Sequence, residues 1–204
     1  DRDGAQRLKD SGVSGVGVSL DSAPDAGFHD RLRRKSGAWQ LALRGVRACQ
    51  RVELPFLVQT SVFRENRDQI ESLARFSADL GARSWNVYFL VCTGRGQALT
   101  DLSADEYETT LTRVRELQRS LADQMYVAVR CAPQIQRFAA SGVAPGRGFF
   151  SYPSGCPAAF HYVRVGARGE VTPCPYLPTV AGTIGDDASR PGGAGPRAGA
   201  PSAR

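Results

Sequence analysis

Long apolar runs are missing from this sequence: no stretch of 18 consecutive apolar residues occurs among its 204 residues. A membrane-spanning helix needs about 20 such residues, so none is predicted and no membrane partner is expected. A basic and apolar leader is also absent at the start, so no secretory signal is predicted. Histidine is scarce, with only His29 and His161. Neither is assigned as a general acid or base, because the sequence indicates no carboxylate partner.

The cysteine content is low and odd in number, with five cysteines at Cys49, Cys92, Cys131, Cys156 and Cys174. Secreted disulfide scaffolds are short and carry paired cysteines, so this pattern argues against one. We therefore predict a cytoplasmic protein, in which clustered cysteines indicate a metal site. Cys49 falls near the apolar face of a predicted helix and is expected in the core.

The charge is basic, with a net charge of +6 and an isoelectric point of about 9.4. The basic residues are dispersed except in Arg31–Lys35, where no aromatic side chain is interleaved. A nucleic-acid site is expected to cluster its basic residues on one face. A solvated loop is the better interpretation of this segment, and no nucleic-acid partner is predicted.

Apolar strands alternate with amphipathic helices along the first part of the chain. The predicted strands are Val13–Leu20, Phe56–Val62, Trp85–Val91 and Tyr126–Arg130. The predicted helices are Gly4–Ser11 with Leu8 buried, Ala38–Arg51, one with Asn66 as N-cap that ends at Gly81, and one opened by the capping box Ser103–Glu106. This alternation implies an α/β fold whose parallel strands are covered by helices. Open sheets and closed barrels both show this pattern, so periodicity alone does not distinguish between them.

Polar residues lie at or near the C-terminal ends of these strands, where parallel α/β folds bind their ligands. They are Ser19, Asp21, Gln59, Ser61, Cys92 and Thr93. Side-chain alternation along the second strand places Gln59 on the same face as Leu57 and Ser61.

The composition changes after about residue 142, and 142–155 is predicted to be an irregular loop. Phe160–Val165 and Glu170–Thr172 then predict a β-hairpin, with Cys156 and Cys174 at its base. Two thiols at one end of a hairpin can ligate a metal, and both zinc and iron–sulfur clusters accept thiolates. The segment 186–204 has no large apolar residue and is predicted to be disordered.

Four motifs in order carry a resemblance to a known family. Gly15–Asp21 ends in Ser-Leu-Asp, Gln59–Asn66 covers the end of the second predicted strand and its exit, and Thr93–Gly96 reads Thr-Gly-Arg-Gly. The fourth is Cys-x12-Gly-x4-Cys from Cys156 to Cys174, ending in Thr-Pro-Cys-Pro-Tyr-Leu-Pro. The set resembles radical S-adenosylmethionine (SAM) enzymes with a C-terminal SPASM/twitch domain. The sequence around Cys174 is most similar to that of the family branch that modifies haem precursors. Peptide-modifying maturases are close relatives of this branch.

The resemblance implies a fold and a division into domains. It implies that 1–130 form the second half of a partial (β/α)6 radical SAM barrel, that 131–185 form an incomplete SPASM/twitch domain, and that 186–204 form a low-complexity tail. The Cys-x3-Cys-x2-Cys motif that binds the catalytic 4Fe–4S cluster in this family does not occur here. We therefore expect the gene product to begin earlier, with the catalytic cluster in that earlier part, and this chain alone to be inactive.

The resemblance also implies cofactors and the residues that hold them. SAM would be met by the hydroxyl of Ser19, by Gln59 and by the backbone of Val91, while Asp21 would either bind SAM or cap its loop. An auxiliary 4Fe–4S cluster would be ligated by Cys156 and Cys174, with Cys131 as a third ligand. No catalytic acid or base is assigned.

The implied activity is modification of a tetrapyrrole by 5′-deoxyadenosyl radical chemistry, which requires a reducing electron donor. A ribosomal-peptide maturase is the alternative within the family. A non-catalytic metal-binding or partner-docking chain is the alternative from another class.

Overall fold

The computed structural model describes residues 1–93, 101–135 and 156–184. Two compact units are present, Asp1–Cys156 and Pro157–Arg204. The Gly94–Gly96 part of the third motif, the predicted loop 142–155 and the predicted disordered tail 186–204 lie outside the described residues.

The first unit alternates helices and strands as predicted, except that Gly27–Arg33 form a helix that reaches into the segment Arg31–Lys35, where a solvated loop was predicted. In chain order these are α1 Arg2–Asp10, β1 Val16–Ser19, α2 Gly27–Arg33, α3 Ala38–Arg51, β2 Phe56–Val62, a 3₁₀ turn at Arg67–Gln69, α4 Ile70–Asp79, β3 Ser84–Phe89, α5 Ala104–Ser120 and β4 Tyr126–Arg130. The four strands form one sheet in the order β1-β2-β3-β4, and every neighbouring pair is parallel. The predicted α/β fold with a parallel sheet is confirmed.

The ends of several helices are set by capping residues that can be recognised in the sequence. The capping box of α5 is complete, because the Ser103 hydroxyl accepts from the Glu106 N–H and the Glu106 carboxylate accepts from the Ser103 N–H. Gly81 follows α4 with φ +77°, a left-handed conformation that glycine adopts without strain. The bounds predicted for α3, β2 and β4 are those observed.

Two predictions at the start of the chain are wrong. Strand β1 covers only Val16–Ser19 instead of Val13–Leu20. Val16 is the register partner of Phe56, the first residue of β2, so the residues before Val16 have no paired strand beside them. In α1, Ala5 is buried at 5% exposure whereas Leu8 is 44% exposed. A helix this short carries too few apolar residues for its pattern to identify the packed face.

One face of the sheet forms the core. Val58, Trp85 and Val87 on this face are fully buried in a cluster with Leu73 of α4 and Leu111 of α5. Thr60, also fully buried, is hydrogen-bonded on both sides: Trp85 Nε1 donates to its hydroxyl at 2.8 Å, and the hydroxyl donates to the Leu20 carbonyl at 2.7 Å. The hydroxyl thereby joins β1, β2 and β3 at the level of Thr60.

The second unit contains a small antiparallel sheet. Strand β5 (Arg164–Val165) pairs with β6 (Glu170–Thr172), and β6 pairs with β7 (Gly182–Thr183). The predicted hairpin is therefore present, although its first strand is shorter than expected. Residues 157–162 form a turn instead, in which the Pro157 carbonyl accepts from the N–H groups of Phe160 and His161.

Among the residues that the structure describes, no helix has both the length and the apolar character needed to cross a bilayer.

Candidate functional site

The face of the sheet opposite the core is polar. Because side chains alternate along a strand, residues between the core-facing ones point to this second face. It carries Gly17, Ser19, Leu57, Gln59, Ser61, Asn86, Tyr88, Ala128 and Arg130. Several of these side chains are half-buried, whereas the core face is almost fully enclosed. A partly accessible polar face at the C-terminal ends of parallel strands is where this class of fold binds ligands.

Three polar residues of this face stand side by side. Ser19 is the register partner of Gln59, and Gln59 is the partner of Asn86. Neighbouring strands lie about 4.8 Å apart, so a hydroxyl and two carboxamides form a continuous row roughly 10 Å long. Ser19 and Gln59 were predicted as site residues, and the structure brings them together. Asn86 was missed, although the same alternation within β3 would have identified it.

Gly17 gives Gln59 the space that it occupies. A Cβ built on Gly17 would lie 3.3 Å from both the Cδ and the Nε2 atoms of Gln59, closer than nine in ten real Cβ contacts. The Gln59 side chain therefore extends across β1 instead of standing straight out from β2. This places its carboxamide next to the strand that carries Ser19.

Asp21 lies just beyond the end of β1 and is fully buried. Its Oδ2 atom accepts from Nε and Nη2 of Arg33 at 3.0 and 2.7 Å, and its Oδ1 atom accepts from the Ser61 N–H at 3.0 Å. Burial raises the pKa of Asp21, but contacts with His29, Arg33 and the Ser61 N–H outweigh it and hold the pKa below its ordinary value of 3.8. Both carboxylate oxygens are thus used within the protein, which fits the loop-capping role better than direct contact with SAM.

His29 completes the surroundings of Asp21. Its Nδ1 atom lies 3.2 Å from the Asp21 backbone nitrogen and 3.3 Å from Oδ2 of the same residue. In the neutral ring Nδ1 can accept from the backbone N–H, whereas in the protonated ring it would donate to the carboxylate. At 3% exposure, His29 is a packed structural residue of α2.

Asn66 ties the ends of β1 and β2 together, a role that the sequence did not reveal. Its amide nitrogen donates to the carbonyls of Asp21 and Ser61 at 2.8 and 2.9 Å, and its amide oxygen accepts from the Phe63 N–H at 2.8 Å. Asn66 directly precedes a 3₁₀ turn, and its side chain does not make the predicted N-cap hydrogen bond. The fully buried amide fixes the strand ends instead.

The chain beyond β3 carries Val91 and Cys92. The Val91 carbonyl accepts from the Thr93 N–H at 2.7 Å, which turns the backbone directly after the strand. The Cys92 thiol donates to Oδ2 of Asp101 at 3.4 Å. The pKa of the Cys92 thiol is raised, mainly by this hydrogen bond and to a lesser extent by desolvation. The raised pKa disfavours the thiolate, which is the form that binds metals.

The cysteines predicted as cluster ligands lie in different parts of the chain. Cys131 directly follows β4, is exposed and has φ 58°, a left-handed conformation that is uncommon outside glycine. Cys156 is exposed at the end of the first unit, and Cys174 lies in the second unit. The Cys174 carbonyl accepts from the Leu177 N–H at 3.3 Å and from the Thr172 hydroxyl at 3.2 Å, which forms a tight turn after β6. Cys49 is buried in the core as predicted.

Two relatives identify the family. An AdoMet-dependent heme synthase from Methanosarcina barkeri is 30% identical over 187 residues, which cover 88% of this chain and 53% of that protein. One from Nitratidesulfovibrio vulgaris is 30% identical over 190 residues, which cover 88% of this chain and 51% of that protein. The chain belongs to the radical SAM family. It spans about half the length of the heme synthases that it matches.

A more distant relative of this radical SAM chain is the antilisterial bacteriocin subtilosin biosynthesis protein AlbA from Bacillus subtilis. It is 23% identical over 163 residues, covering 80% of this chain and 33% of that protein. No protein-family model matches the sequence.

The polar row of this radical SAM chain fits SAM as a ligand. SAM carries hydroxyl, amino, carboxylate and adenine groups, which require donors and acceptors at a partly open surface. Ser19 and Gln59 supply such donors and acceptors side by side, and both residues are half-buried. The Val91 backbone lies beyond the end of β3, past the row.

Within residues 1–93, 101–135 and 156–184, no three His, Cys, Asp or Glu side chains converge in a way that could hold a metal ion. The ligand set of Cys131, Cys156 and Cys174 therefore stays a prediction.

Proposed function

We propose that the protein containing this chain is a SAM-dependent enzyme of haem biosynthesis that modifies a tetrapyrrole. The observation that carries this is the similarity to AdoMet-dependent heme synthases across 88% of the chain. The polar row on the open face of the sheet supports it, because a SAM-binding site is expected on that face of a parallel α/β fold. The four strands would then be the second half of a partial (β/α)6 barrel, with the polar face inside.

In this proposal the residues of the chain bind and orient the cofactor. SAM, when bound and reductively cleaved, supplies the radical that abstracts hydrogen from the substrate. The Ser19 hydroxyl hydrogen-bonds the ribose, and the Gln59 carboxamide, held across Gly17, donates to or accepts from SAM beside it. Asp21 acts as a positioning residue: it binds the Ser61 N–H and so fixes the end of β1 against β2. The Val91 backbone meets the adenine.

The electron that cleaves SAM would come from an external reducing donor. The catalytic 4Fe–4S cluster that passes it on would be ligated outside this chain. We further propose a cytoplasmic location, which is consistent with five cysteines that form no disulfide.

We propose that residues 131–185 belong to an incomplete auxiliary iron–sulfur domain of the SPASM/twitch type. Its support is the antiparallel hairpin followed by the tight turn at Cys174. In the complete gene product, replacing both Cys156 and Cys174 with Ala should remove about four irons per chain, the content of one 4Fe–4S cluster. Loss of bound zinc with unchanged iron would contradict this assignment. Cys49→Ala is the matched control, because that thiol is buried in the core.

Peptide modification is the second candidate, and the similarity to the subtilosin biosynthesis protein AlbA favours it. The two functions differ in substrate and not in the use of SAM. The deciding experiment incubates the complete, anaerobically reconstituted protein with SAM, a reductant and either an iron porphyrin precursor or a candidate peptide. Haem formation together with 5′-deoxyadenosine supports the proposal, and a modified peptide with no haem contradicts it.

A further inference from the structure

Asn86, on the polar face of β3, is a buried amide that the rest of the sheet leaves unpaired. Only 4% of the residue is exposed. Its carboxamide makes no hydrogen bond to any residue of 1–93, 101–135 or 156–184. Buried polar side chains in proteins are nearly always hydrogen-bonded, because an unpaired one loses its hydration without compensation. An unpaired amide on a ligand-binding face therefore indicates a partner that the ligand supplies.

The two register neighbours of Asn86 explain why it is unpaired. On one side lies Gln59, whose carboxamide extends across Gly17 of β1 and therefore away from β3. Two amides side by side on neighbouring strands would otherwise be close enough to interact. On the other side lies Ala128, whose side chain has no polar group. The amide of Asn86 is thus left for a group that enters from the open face.

The surroundings of Asn86 favour an uncharged ligand group. Strands β1, β2 and β3 contain no charged residue. An ammonium or carboxylate brought to this part of the face would lose hydration without a counter-charge on these strands. A carboxamide both donates and accepts, so it matches groups that do the same, such as ribose hydroxyls and the edge of adenine. SAM carries these groups in its adenosine part and its charges in its methionine part.

We propose that the Asn86 carboxamide hydrogen-bonds the adenosine part of SAM, and that the free protein is less stable because this amide is unpaired until SAM binds. This rests on the proposed function, which assigns SAM to the polar face. Removing the amide should therefore weaken ligand binding without lowering stability. A residue that only supports the sheet would lower both when it is replaced.

The test uses the complete, anaerobically prepared gene product. Calorimetric titration measures the affinity for SAM and for 5′-deoxyadenosine, which lacks the methionine part, and chemical denaturation measures the unfolding midpoint. Asn86→Ala adds no bulk and should weaken the binding of both ligands by a similar factor of about ten, the loss of hydrogen bonding by one amide. Asn86→Leu replaces the amide with an apolar group of similar shape and should weaken both likewise. At least one of the two variants should unfold at or above the midpoint of the wild type, because the unpaired amide is gone.

Two control variants separate the amide from its surroundings. Ser84→Ala removes another buried and unpaired polar group of β3, two residues before Asn86, whose oxygen is fully enclosed. It should leave both affinities unchanged and should not lower the midpoint. Asn66→Leu removes an amide that makes three hydrogen bonds within the protein, so its midpoint should fall well below that of the wild type.

Unchanged binding of both ligands by Asn86→Ala would overturn the proposal. Midpoints below that of the wild type in both Asn86 variants would also overturn it, because they would assign the amide a partner within the protein. Weakened binding of SAM with unchanged or absent binding of 5′-deoxyadenosine would place the contact at the methionine part, again against the proposal. The proposed function fails separately, if the complete protein forms no haem from a porphyrin precursor while Asn86-dependent binding of SAM persists.

Discussion

Arg33 donates two hydrogen bonds to one carboxylate oxygen of Asp21, from Nε at 3.0 Å and from Nη2 at 2.7 Å. The side chain of Asp21 is 0% exposed and that of Arg33 is 40% exposed. The negative charge of the buried Asp21 is therefore compensated by the positive charge of the more exposed Arg33. The pair holds α2 against the end of β1, next to the residues proposed to bind SAM.

We expect Arg33→Ala to lower the free energy of unfolding by about 2 kcal/mol, because it leaves a buried carboxylate short of two donors. The loss should stay below that of a fully buried pair, since solvent already screens Arg33. Chemical denaturation of the two proteins measures it. Arg75→Ala is the control: its partner Glu71 lies four residues away and both are exposed, so a change of at most about 0.5 kcal/mol is expected. Equal effects of the two substitutions would contradict this account of Asp21.

The same carboxylate predicts a pH dependence. The pKa of Asp21 is lower in the folded protein than its ordinary value of 3.8, so the unfolded chain binds the proton more tightly. The stabilisation is complete above that ordinary value and is lost as the pH falls through the folded value. The denaturation midpoint of the wild type should therefore fall steeply below about pH 4.

Asp21→Asn should flatten this acid dependence without removing it. Asp30 also has a lowered pKa, chiefly because the Trp39 N–H donates to its carboxylate, so it contributes its own acid sensitivity. An unchanged slope in Asp21→Asn would show that Asp21 does not titrate with unfolding.

Substitutions of Asn66 can distinguish its predicted role as a helix cap from its observed role, which is to link the ends of β1 and β2. Asn66→Asp keeps a good N-cap residue but replaces the amide donor with a carboxylate facing the carbonyls of Asp21 and Ser61. We expect it to destabilise the protein by about 2–4 kcal/mol. If the residue acted mainly as a cap, Asn66→Asp would be nearly neutral and Asn66→Ala would cost about 1 kcal/mol. Thermal or chemical denaturation of both variants distinguishes the two roles.

The contact between Gly17 and Gln59 can be tested as a pair. Gly17→Ala should push the Gln59 side chain off β1 and weaken SAM binding by the complete gene product, because the added Cβ lies 3.3 Å from that side chain. In a Gln59→Ala background the same substitution should have no further effect, since the side chain that it displaces is gone. Gly45→Ala on α3 is the control, because nothing lies within 4 Å of its Cβ. Additive effects of Gly17→Ala and Gln59→Ala would contradict the contact.

The sequence predicted most of the sheet because strand alternation and helix caps are local properties. The bounds of β2 and α3 and the capping box of Ser103 and Glu106 depend on residues a few positions apart. The extent of β1 does not, since it depends on where β2 begins, about 40 residues later. The role of Asn66 is also non-local, because its partner Asp21 is 45 residues away. Composition favoured the N-cap, and only the fold brings the two strand ends within reach of the amide.

The candidate site was predicted in part for the same reason. Ser19 and Gln59 follow from strand ends and alternation, but their side-by-side register needed the sheet order. Asp21 could be placed near the site but not assigned a role, because Arg33 and His29 reach it from another element.

We propose that Ser19 and Gln59 bind SAM on the polar face of the sheet. Isothermal titration calorimetry of SAM against the complete, anaerobically prepared protein tests it most directly. We expect Ser19→Ala and Gln59→Ala each to weaken SAM binding by about five- to tenfold, the loss of one hydrogen bond, while the unfolding midpoints stay close to that of the wild type. Thr109→Ala, on the exposed face of α5, should bind SAM like the wild type. Unchanged SAM affinity in both site variants would show that these side chains do not bind SAM.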